Sequence, residues 1–236
     1  MKPKHLDLFS GIGGFALGAQ AVGFETIGFS EIDPYASAVL KNHWPDIPNY
    51  GDVRTVPTVG CDLITGGFPC QPFSCAGKRR GSADDRFLWP AMFDVIQRCR
   101  PAWVLGENVA NLINMELEGC LVDLESIGYE SQPIVIPACG VGAEHLRERV
   151  WIIANNPRFA LEKSKVDFPA RTISKSGKYL QRLPGSVWEF DRETYLGEMA
   201  GEIHGVSNWP YRSKGLGNSI VPQVAEVILR EIIKHL

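Results

Sequence analysis

Short apolar runs alternate with amphipathic stretches along residues 1–154. The apolar runs are too short and too uniformly hydrophobic for amphipathic helices, so they predict buried strands. The stretches between them carry helical periodicity or helix start signals, such as Asp33 followed by Pro34. The pattern predicts strands at 5–9, 24–29, 62–65, 102–106, 132–138 and 150–154, and helices at 13–22, 33–43, 86–100 and 116–127.

This alternation predicts an α/β fold in which helices cover both faces of a parallel sheet. Pro90 interrupts the third helix, which can therefore begin later than residue 86. The alternation stops after residue 154, because residues 155–214 are rich in Pro, Gly, Ser and charge and lack periodicity. That stretch is too long for a mere connection, so we expect a small lobe or a functional insertion. An amphipathic helix is predicted at 219–235.

The composition is that of an ordinary soluble protein, because 44% of the 236 residues are hydrophobic and 22% are charged. No apolar run is long enough to span a bilayer, and the first residues do not resemble a signal peptide. The six cysteines form no Cys-x-x-Cys pair, which excludes a zinc ribbon, and the length of the chain argues against a disulfide scaffold. We expect a cytoplasmic protein without a metal.

Charge is distributed unevenly around a net value of −3. Residues 1–154 carry 12 basic and 18 acidic side chains, whereas residues 155–236 carry 12 and 9. The run 158–182 holds seven basic residues against two acidic ones. Such a patch is compatible with a nucleic-acid partner, and a solvated loop is the alternative that charge alone favours.

A glycine-rich turn follows the first predicted strand, where residues 7–15 read Asp-Leu-Phe-Ser-Gly-Ile-Gly-Gly-Phe. Glycines at such a turn let a ligand approach the backbone, and the helix N-terminus offers unpaired amides. Glu31 ends the next strand, at the place where an acid commonly binds ribose hydroxyls; alternatively, it caps the following helix. Asp52 follows another expected strand end. Together these features predict an adenosine pocket for either NAD or S-adenosylmethionine.

Cys70 lies just past the strand at 62–65, within Gly-Gly-Phe-Pro-Cys-Gln-Pro-Phe-Ser at 66–74. The carboxyl ends of strands are where α/β sheets bind ligands. Pro69 and Pro72 restrict the backbone around Cys70, and the basic residues at 78–80 favour its thiolate. For most of the other cysteines we expect the usual role of a small buried hydrophobe. The polar stretch at 77–86 is a candidate for closing over a substrate.

Five segments, in order along the chain, resemble the DNA cytosine-5 methyltransferases, especially the compact forms of phages and prophages. They are residues 7–15, residues 66–74, Gly-Glu-Asn-Val at 106–109, Arg-Glu-Arg-Val at 147–150 and Gly-Leu-Gly-Asn-Ser-Ile-Val-Pro-Gln at 215–223. The resemblance implies a Rossmann-like, doubly wound, mostly parallel sheet. It also implies a catalytic and cofactor domain at 1–154, a small target-recognition lobe at 155–214, and a segment at 215–236 that returns to the catalytic domain.

The reaction of this family needs a nucleophile, because carbon 5 of cytosine is too weakly nucleophilic to take a methyl group directly. A thiolate that adds to carbon 6 gives an enamine-like ring, and a carboxyl group assists by protonating or hydrogen-bonding nitrogen 3. The resemblance assigns the thiolate to Cys70 and the carboxyl to Glu107. It places Arg147 and Arg149 near the cytosine oxygen, neighbouring groups or a phosphate. Ion pairs with neighbouring glutamates are the alternative for both arginines.

The same resemblance assigns the adenosine pocket to S-adenosylmethionine, which leaves as S-adenosylhomocysteine. It implies that Glu31 binds the ribose and that Ile32, Asp52 and Val53 frame the adenine. The other residues expected at this pocket are Phe9, Ser10, Gly11, Gly13, Pro69, Leu88, Asn218 and Ser219.

Two features depart from the family pattern. His145 stands where family members usually have Gln, and we expect a modest effect. The lobe at 155–214 is much shorter than in full-length relatives, and residues 203–207 replace the block that usually supports it. A small lobe reads few base pairs or relies on backbone contacts. Its candidate DNA contacts are the run 158–182 and four aromatic residues whose alternative role is packing within the lobe: Trp188, Tyr195, Trp209 and Tyr211.

Double-stranded DNA is the expected partner and a monomer the expected state, with the target cytosine rotated out of the stack while residues 71–86 move. An RNA cytosine methyltransferase would share this core, but the chain lacks the Cys-Phe-Thr tripeptide of the related tRNA enzymes. A nicotinamide-dependent oxidoreductase would share the glycine turn but leaves residues 69–72 and 107–109 unexplained. A DNA-binding protein without catalysis would not need the intact set of catalytic positions.

Overall fold

The computed structural model describes residues 1–69, 87–141, 148–159 and 220–236, in which strands and helices alternate. The strands are β1 (Lys4–Leu8), β2 (Glu25–Ser30), β3 (Leu63–Gly66), β4 (Trp103–Val109), β5 (Glu130–Pro137) and β6 (Glu148–Asn155). The α-helices are α1 (Gly14–Ala21), α2 (Pro34–His43), α3 (Trp89–Cys99), α4 (Leu117–Ser126) and α5 (Pro222–Ile232). Short 3-10 helices lie at Val53–Thr55, Ala110–Asn114, Ala138–Val141 and Ile233–His235. The predicted α/β fold is confirmed.

The six strands form one sheet in the order β2-β1-β3-β4-β6-β5. From β1 the order proceeds outward in both directions, as in doubly wound sheets, which confirms the Rossmann-like prediction. Strands β2, β1, β3 and β4 are parallel, whereas β6 is antiparallel to both β4 and β5. The prediction of a parallel sheet is therefore wrong for β6, which is antiparallel to both of its neighbours. The connection from Pro137 to Glu148 is too short for the crossover of a dozen or more residues that parallel strands need.

Helices cover both faces of the sheet, as predicted. On one face, α3 and α4 contribute Trp89, Ile96 and Leu124 to a core that they share with the apolar side chains of the strands. On the other face, α1 and α5 pack over a second core that includes Phe15 and Trp151. The two cores use alternate residues of the central strands, because successive side chains in a strand point to opposite faces.

Helix α5 contacts α1 although the two are far apart in sequence. Gly18 permits this approach, because a Cβ atom there would lie 3.0 Å from the carbonyl oxygen of Pro222 and 3.2 Å from the Cβ of Ala225. Buried Ile228 and Leu229 fix the apolar face of α5 against the second core. The last helix thereby completes one side of the sheet.

Several element boundaries differ from the predictions. The helix predicted from residue 86 begins at Trp89, with Pro90 in its first turn, and the helix predicted at 219–235 is α5 followed by a 3-10 turn. Glu107 lies inside β4 rather than after it. The strand expected before Asp52 is wrong: within the described residues that region makes only an isolated bridge to Phe29, and Asp52 caps the 3-10 helix Val53–Thr55.

None of the helices among the described residues is long and apolar enough to cross a membrane. The predicted recognition lobe lies outside the described residues except for 155–159. The proposed division into three units therefore stays a prediction.

Candidate active site

The register of the sheet brings candidate site residues of four strands into one row. Leu8 lies opposite Ser30 on one side and Gly66 on the other, and Gly66 lies opposite Gly106. Each of these four residues is followed in the sequence by a residue at the edge of the sheet. We call these four following residues the edge row: Phe9, Glu31, Gly67 and Glu107. Because the carboxyl ends of parallel strands meet at one edge of a sheet, the residues predicted to bind the cofactor and the carboxyl group predicted to be catalytic lie at the same edge.

The glycine turn after β1 has a strained backbone. Phe9, which is not a glycine, has a φ of 52°, a left-handed conformation that costs about 1–2 kcal/mol. Gly11 and Gly13 also have positive φ. A side chain at Gly13 would collide with the ring of Trp44, whereas a Cβ at Gly11 would meet nothing within 4 Å. The backbone at Gly11 is therefore open to a ligand.

Glu31 joins this turn to the start of α2. One oxygen of its carboxylate accepts the backbone N–H of Gly11 and the other accepts that of Asp33, each at 2.7 Å. Asp33, not Glu31, is the N-cap of α2, because its carboxylate accepts the backbone N–H groups of Tyr35 and Ala36. The alternative that Glu31 caps the helix is therefore wrong, and its carboxylate instead bridges two segments of the edge.

The three residues expected to frame an adenine have different environments. The side chain of Ile32 is 72% exposed, whereas Val53 is buried. Asp52 forms an ion pair with Arg54, whose guanidinium and backbone N–H both donate to its carboxylate. These hydrogen bonds hold the pKa of Asp52 below its usual range. The exposed Ile32 suits a flat apolar ligand, whereas Asp52 already has a partner.

Pro69 and Leu88 lie on either side of the segment that contains Cys70. The backbone N–H of Leu88 donates to the carbonyl oxygen of Pro69 at 3.3 Å. Helix α3 begins immediately after Leu88. The hydrogen bond thus joins the chain that leaves β3 to the start of α3 at the same edge of the sheet.

Glu107 is a carboxyl group in a nearly buried position, with 8% of its surface exposed. One of its oxygens lies 2.9 Å from Nε of Arg149 on the neighbouring strand β6. The two side chains share a face because Glu107 lies opposite Trp151, two residues along from Arg149. A small pocket of about 10 Å³, room for about one water molecule, adjoins them and is lined also by Ile136, Ala138, Trp151, Val221 and Val224. Arg149 therefore pairs with Glu107. Of the two glutamates that were the alternative partners, Glu148 accepts from Arg149 through its backbone carbonyl, and Glu144 lies outside the described residues.

The side chain of Asn108 lies on the face of β4 opposite to that of Glu107. Its role was not predicted from the sequence. Its side-chain amide donates to the carbonyl oxygen of Phe68 at 2.9 Å, and its side-chain oxygen accepts the backbone N–H of Val109. A side chain at Gly67 would touch the carboxylate of Glu107 at 3.4 Å. The end of β3 therefore lies directly against residues 107 and 108. The sequence signal that could have revealed the role of Asn108 is its position next to Glu107.

A buried polar chain behind the glycine turn was also missed. Thr65 donates to the carboxylate of Asp7 at 2.8 Å and lies 2.8 Å from Nε2 of His5, so that Nε2 carries the proton and Nδ1 accepts from Thr26. Burial raises the pKa of Asp7 to about 8, and the nearby carboxylate of Glu31 raises it further. Burial also lowers the pKa of His5 to about 3. Both groups are therefore uncharged near neutral pH.

The remaining predicted site residues lie outside the described residues. They are Cys70, Arg147, Asn218 and Ser219, together with His145, the expected moving stretch 71–86 and the aromatic residues of the lobe. Among the described residues, no three His, Cys, Asp or Glu side chains come together as a metal site would require.

Comparison with protein families finds one matching model, that of the C-5 cytosine-specific DNA methylases, over residues 4–200. The Type II methyltransferase M.HgiCII of Herpetosiphon aurantiacus is 36% identical over 159 residues, which are 64% of this chain and 36% of the relative. The Type II methyltransferase M.NgoBV of Neisseria gonorrhoeae is 29% identical over 265 residues. The match covers 97% of this chain and 61% of the relative. The chain spans less than half the length of the first relatives that it matches.

Solved structures of similar proteins have the same fold. A prophage-encoded protein of E. coli, described as a DNA modification methyltransferase, is 26% identical with a TM-score of 0.58, over 69% of this chain and 49% of its own. The S. pombe Dnmt2 methyltransferase has a TM-score of 0.70 over 100% of both chains at 18% identity, a likeness of fold alone.

Proposed function

The chain belongs to the C-5 cytosine-specific DNA methylase family, and we propose that it transfers a methyl group from S-adenosylmethionine to carbon 5 of cytosine in double-stranded DNA. The observation that carries the proposal is the edge row. Strand β3, whose end leads to Cys70, lies between β1, which ends in the glycine turn, and β4, which contains Glu107. A cofactor turn, a nucleophile segment and a carboxyl group are thus on three adjacent strands.

Cys70 is the proposed nucleophile, and it follows Pro69 directly in the chain. Its thiolate adds to carbon 6 of cytosine, which forms a carbon–sulfur bond and makes carbon 5 nucleophilic. After carbon 5 has taken the methyl group, it loses its proton to a base. Elimination of the thiolate then restores the ring and the free cysteine.

Glu107 is the proposed group that protonates or hydrogen-bonds nitrogen 3 of the cytosine. Its burial limits competition by water, and the contact with Arg149 orients its carboxyl group. Arg149 is itself about one-fifth exposed, so its guanidinium also has surface available for the cytosine oxygen or a phosphate. The pair therefore supports both activation and placement of the base.

The residues of the glycine turn fit S-adenosylmethionine, which supplies an electrophilic methyl group on a positively charged sulfur when bound. Gly11 leaves open space at the backbone. The oxygens of Glu31 each accept one backbone N–H and retain lone pairs for ribose hydroxyls. Ile32 offers an exposed apolar side chain for the adenine.

The proposed substrate is a cytosine rotated out of the DNA stack, because a base inside a duplex cannot present carbon 6 to a group at the edge of a sheet. The Type II methyltransferases among the relatives support DNA as the substrate. Arg147 and the basic run 158–182 are the proposed phosphate contacts, and the proposed acting form is a monomer.

Bisulfite sequencing of DNA from bacteria that express the chain tests the proposal. We expect protected cytosines with the unchanged chain and with Cys139→Ala, which alters an exposed cysteine, but none with Cys70→Ala. S-adenosylmethionine, and not NAD, should raise the melting temperature of all three proteins. Methylation by the Cys70→Ala variant would refute the covalent mechanism. Tritium transfer to tRNA but not to duplex DNA would refute the substrate.

A further inference from the structure

The indole N–H of Trp151 is a buried donor beside the carboxyl group that we propose as catalytic. Trp151 lies on β6 directly opposite Glu107 on β4, so the two side chains share one face of the sheet. Only 1% of Trp151 is exposed. Within the described part of the chain, its Nε1 has no hydrogen-bond partner. Buried tryptophan N–H groups usually have one, because an unsatisfied buried donor is costly.

The position of the indole ring is fixed by its packing. Its plane lies at 82° to that of Phe15 of α1, and the two ring centroids are 6.0 Å apart. Both rings belong to the second core, which α1 and α5 cover. Because this core is closely packed, the ring does not turn its N–H toward solvent. A partner for the N–H therefore has to lie in the interior, next to the ring.

The small pocket beside Glu107 and Arg149 is the place for such a partner, because Trp151 also lines it. Its volume of about 10 Å³ suits one water molecule and is far too small for a pyrimidine ring. A buried water needs about two to four polar partners, and the side chains of Trp151, Glu107 and Arg149 provide them. The remaining lining residues have apolar side chains: Ile136, Ala138, Val221 and Val224.

We propose that Trp151 is a positioning residue for Glu107, and that it acts through one water molecule bound in this pocket. The water accepts the indole N–H and donates to the carboxylate of Glu107, which has lone pairs for it besides the contact with Arg149. Its second lone pair faces the donors of the guanidinium. Strand β6 thus supplies both the direct and the water-mediated contact. The inference rests on the proposed catalytic role of Glu107.

The water-mediated contact has a consequence for the reaction. The last torsion of a glutamate side chain is broad, so the plane of the carboxyl group turns easily unless contacts restrict it. The water adds one contact, which helps to fix the direction in which the carboxyl faces nitrogen 3 of the cytosine. A single bound water is a fixed partner, unlike bulk solvent, whose access the burial of Glu107 limits. Loss of this contact should slow the chemical step without weakening the binding of DNA or S-adenosylmethionine.

A crystal structure that resolves ordered water tests the site without reference to activity. We expect one water within about 3.2 Å of both Nε1 of Trp151 and an oxygen of Glu107. Replacing Trp151 by benzothienylalanine, through stop-codon suppression, keeps the shape of the ring but puts sulfur in place of the N–H. The water should then be lost. A dry pocket in the unchanged chain, or an Nε1 that donates to a protein group, would overturn the proposal.

Steady-state kinetics test the positioning role. Trp151→Phe and the benzothienylalanine variant should both lower kcat for methyl transfer by roughly three- to tenfold, with KM for DNA and S-adenosylmethionine unchanged. Trp103→Phe is the matched control, because it removes an indole from the same core at the start of β4 and should keep kcat. Far-UV circular dichroism checks that each variant is folded.

Equal kcat values for the unchanged chain and the benzothienylalanine variant would overturn the positioning role of Trp151. If the unchanged chain transfers no methyl group to DNA, the proposed function fails, and the crystal structure alone decides whether the water site exists.

Discussion

The side-chain amide of Asn108 donates a 2.9 Å hydrogen bond to the carbonyl oxygen of Phe68, across the gap between β4 and the end of β3. Asn108 is 5% exposed and Phe68 is 2% exposed, so water cannot replace this bond. The residue before Asn108 is the proposed acid, and the second residue after Phe68 is the proposed nucleophile. One buried hydrogen bond therefore joins the two segments that carry the proposed catalytic residues.

Replacing Asn108 by Ala should lower the free energy of unfolding by about 1–3 kcal/mol, because the buried carbonyl of Phe68 loses its donor. Methyl transfer should fall by roughly tenfold or more, since small misplacements of reacting groups are costly. Urea unfolding and single-turnover tritium transfer measure the two effects. Asn111→Ala is a matched control, because Asn111 is exposed on the following 3-10 helix. Equal rates for both variants would contradict a positioning role.

Substituting Arg149 by Gln should remove the partner of the nearly buried Glu107 carboxylate. We expect a loss of about 1–3 kcal/mol in unfolding free energy and a larger relative loss in methyl transfer. Arg149→Lys keeps the charge but not the Nε contact, so it should recover stability more than activity. The exposed helix pair of Arg230 with Glu226 offers the control: Arg230→Gln should cost only about 0.5 kcal/mol. Full activity of Arg149→Gln would argue against orientation of Glu107 by this arginine.

Changing Glu31 to Gln should weaken S-adenosylmethionine binding by roughly tenfold or more, measured by calorimetry. The amide can accept only one of the two backbone N–H groups that Glu31 now accepts, and its own NH₂ opposes the other. Glu25→Gln, at the exposed start of β2, should bind the cofactor normally. Unchanged affinity in Glu31→Gln would limit Glu31 to a structural role.

The buried pair of Asp7 and His5 predicts how stability depends on pH. The folded-state pKa of Asp7 is raised from 3.8 to about 8, so between these values the folded chain holds an extra proton and stability falls as pH rises. The pKa of His5 is lowered from 6.5 to about 3, so between those values the unfolded chain holds the extra proton and stability rises with pH. The two slopes oppose each other between 3.8 and 6.5, and above 6.5 only the fall due to Asp7 remains.

We therefore expect nearly constant stability between about pH 4.5 and 6, and a loss on the order of 1–2 kcal/mol from pH 6.5 to 8. Urea unfolding across this range measures it. Asp7→Asn should abolish the loss above 6.5 and reveal the rise below it that belongs to His5. A flat profile for the unchanged chain from 6.5 to 8 would show that Asp7 is not the group that titrates.

Hydrophobic patterning was sufficient to predict the fold, because buried parallel strands leave short apolar runs in the sequence. It could not predict the antiparallel pairing of β5 and β6, which depends on the length of the connection between them. The segment before Asp52 was harder still. Apart from its backbone bonds to Phe29, the segment is held by side-chain contacts such as those of Asn49, and no period in the sequence reveals such contacts.

The same distinction between sequence pattern and contacts in the folded chain applies to the candidate site. Glu31 and Glu107 could be selected because their residue types and positions fit a chemistry. The proton arrangement of His5, Thr65 and Asp7 could not, since it depends on which side chains of the neighbouring strands β1 and β3 share a register.

The packing of α5 on α1 has a consequence for synthesis of the chain. Until residues 222–232 leave the ribosome, the apolar side chains of Phe15, Ala19 and Ile153 lack the helix that covers them. A nascent chain in this state exposes an apolar surface to which chaperones and other nascent chains can bind. The emergence of residues 222–232, rather than formation of the strands, is then the step after which this apolar surface is covered.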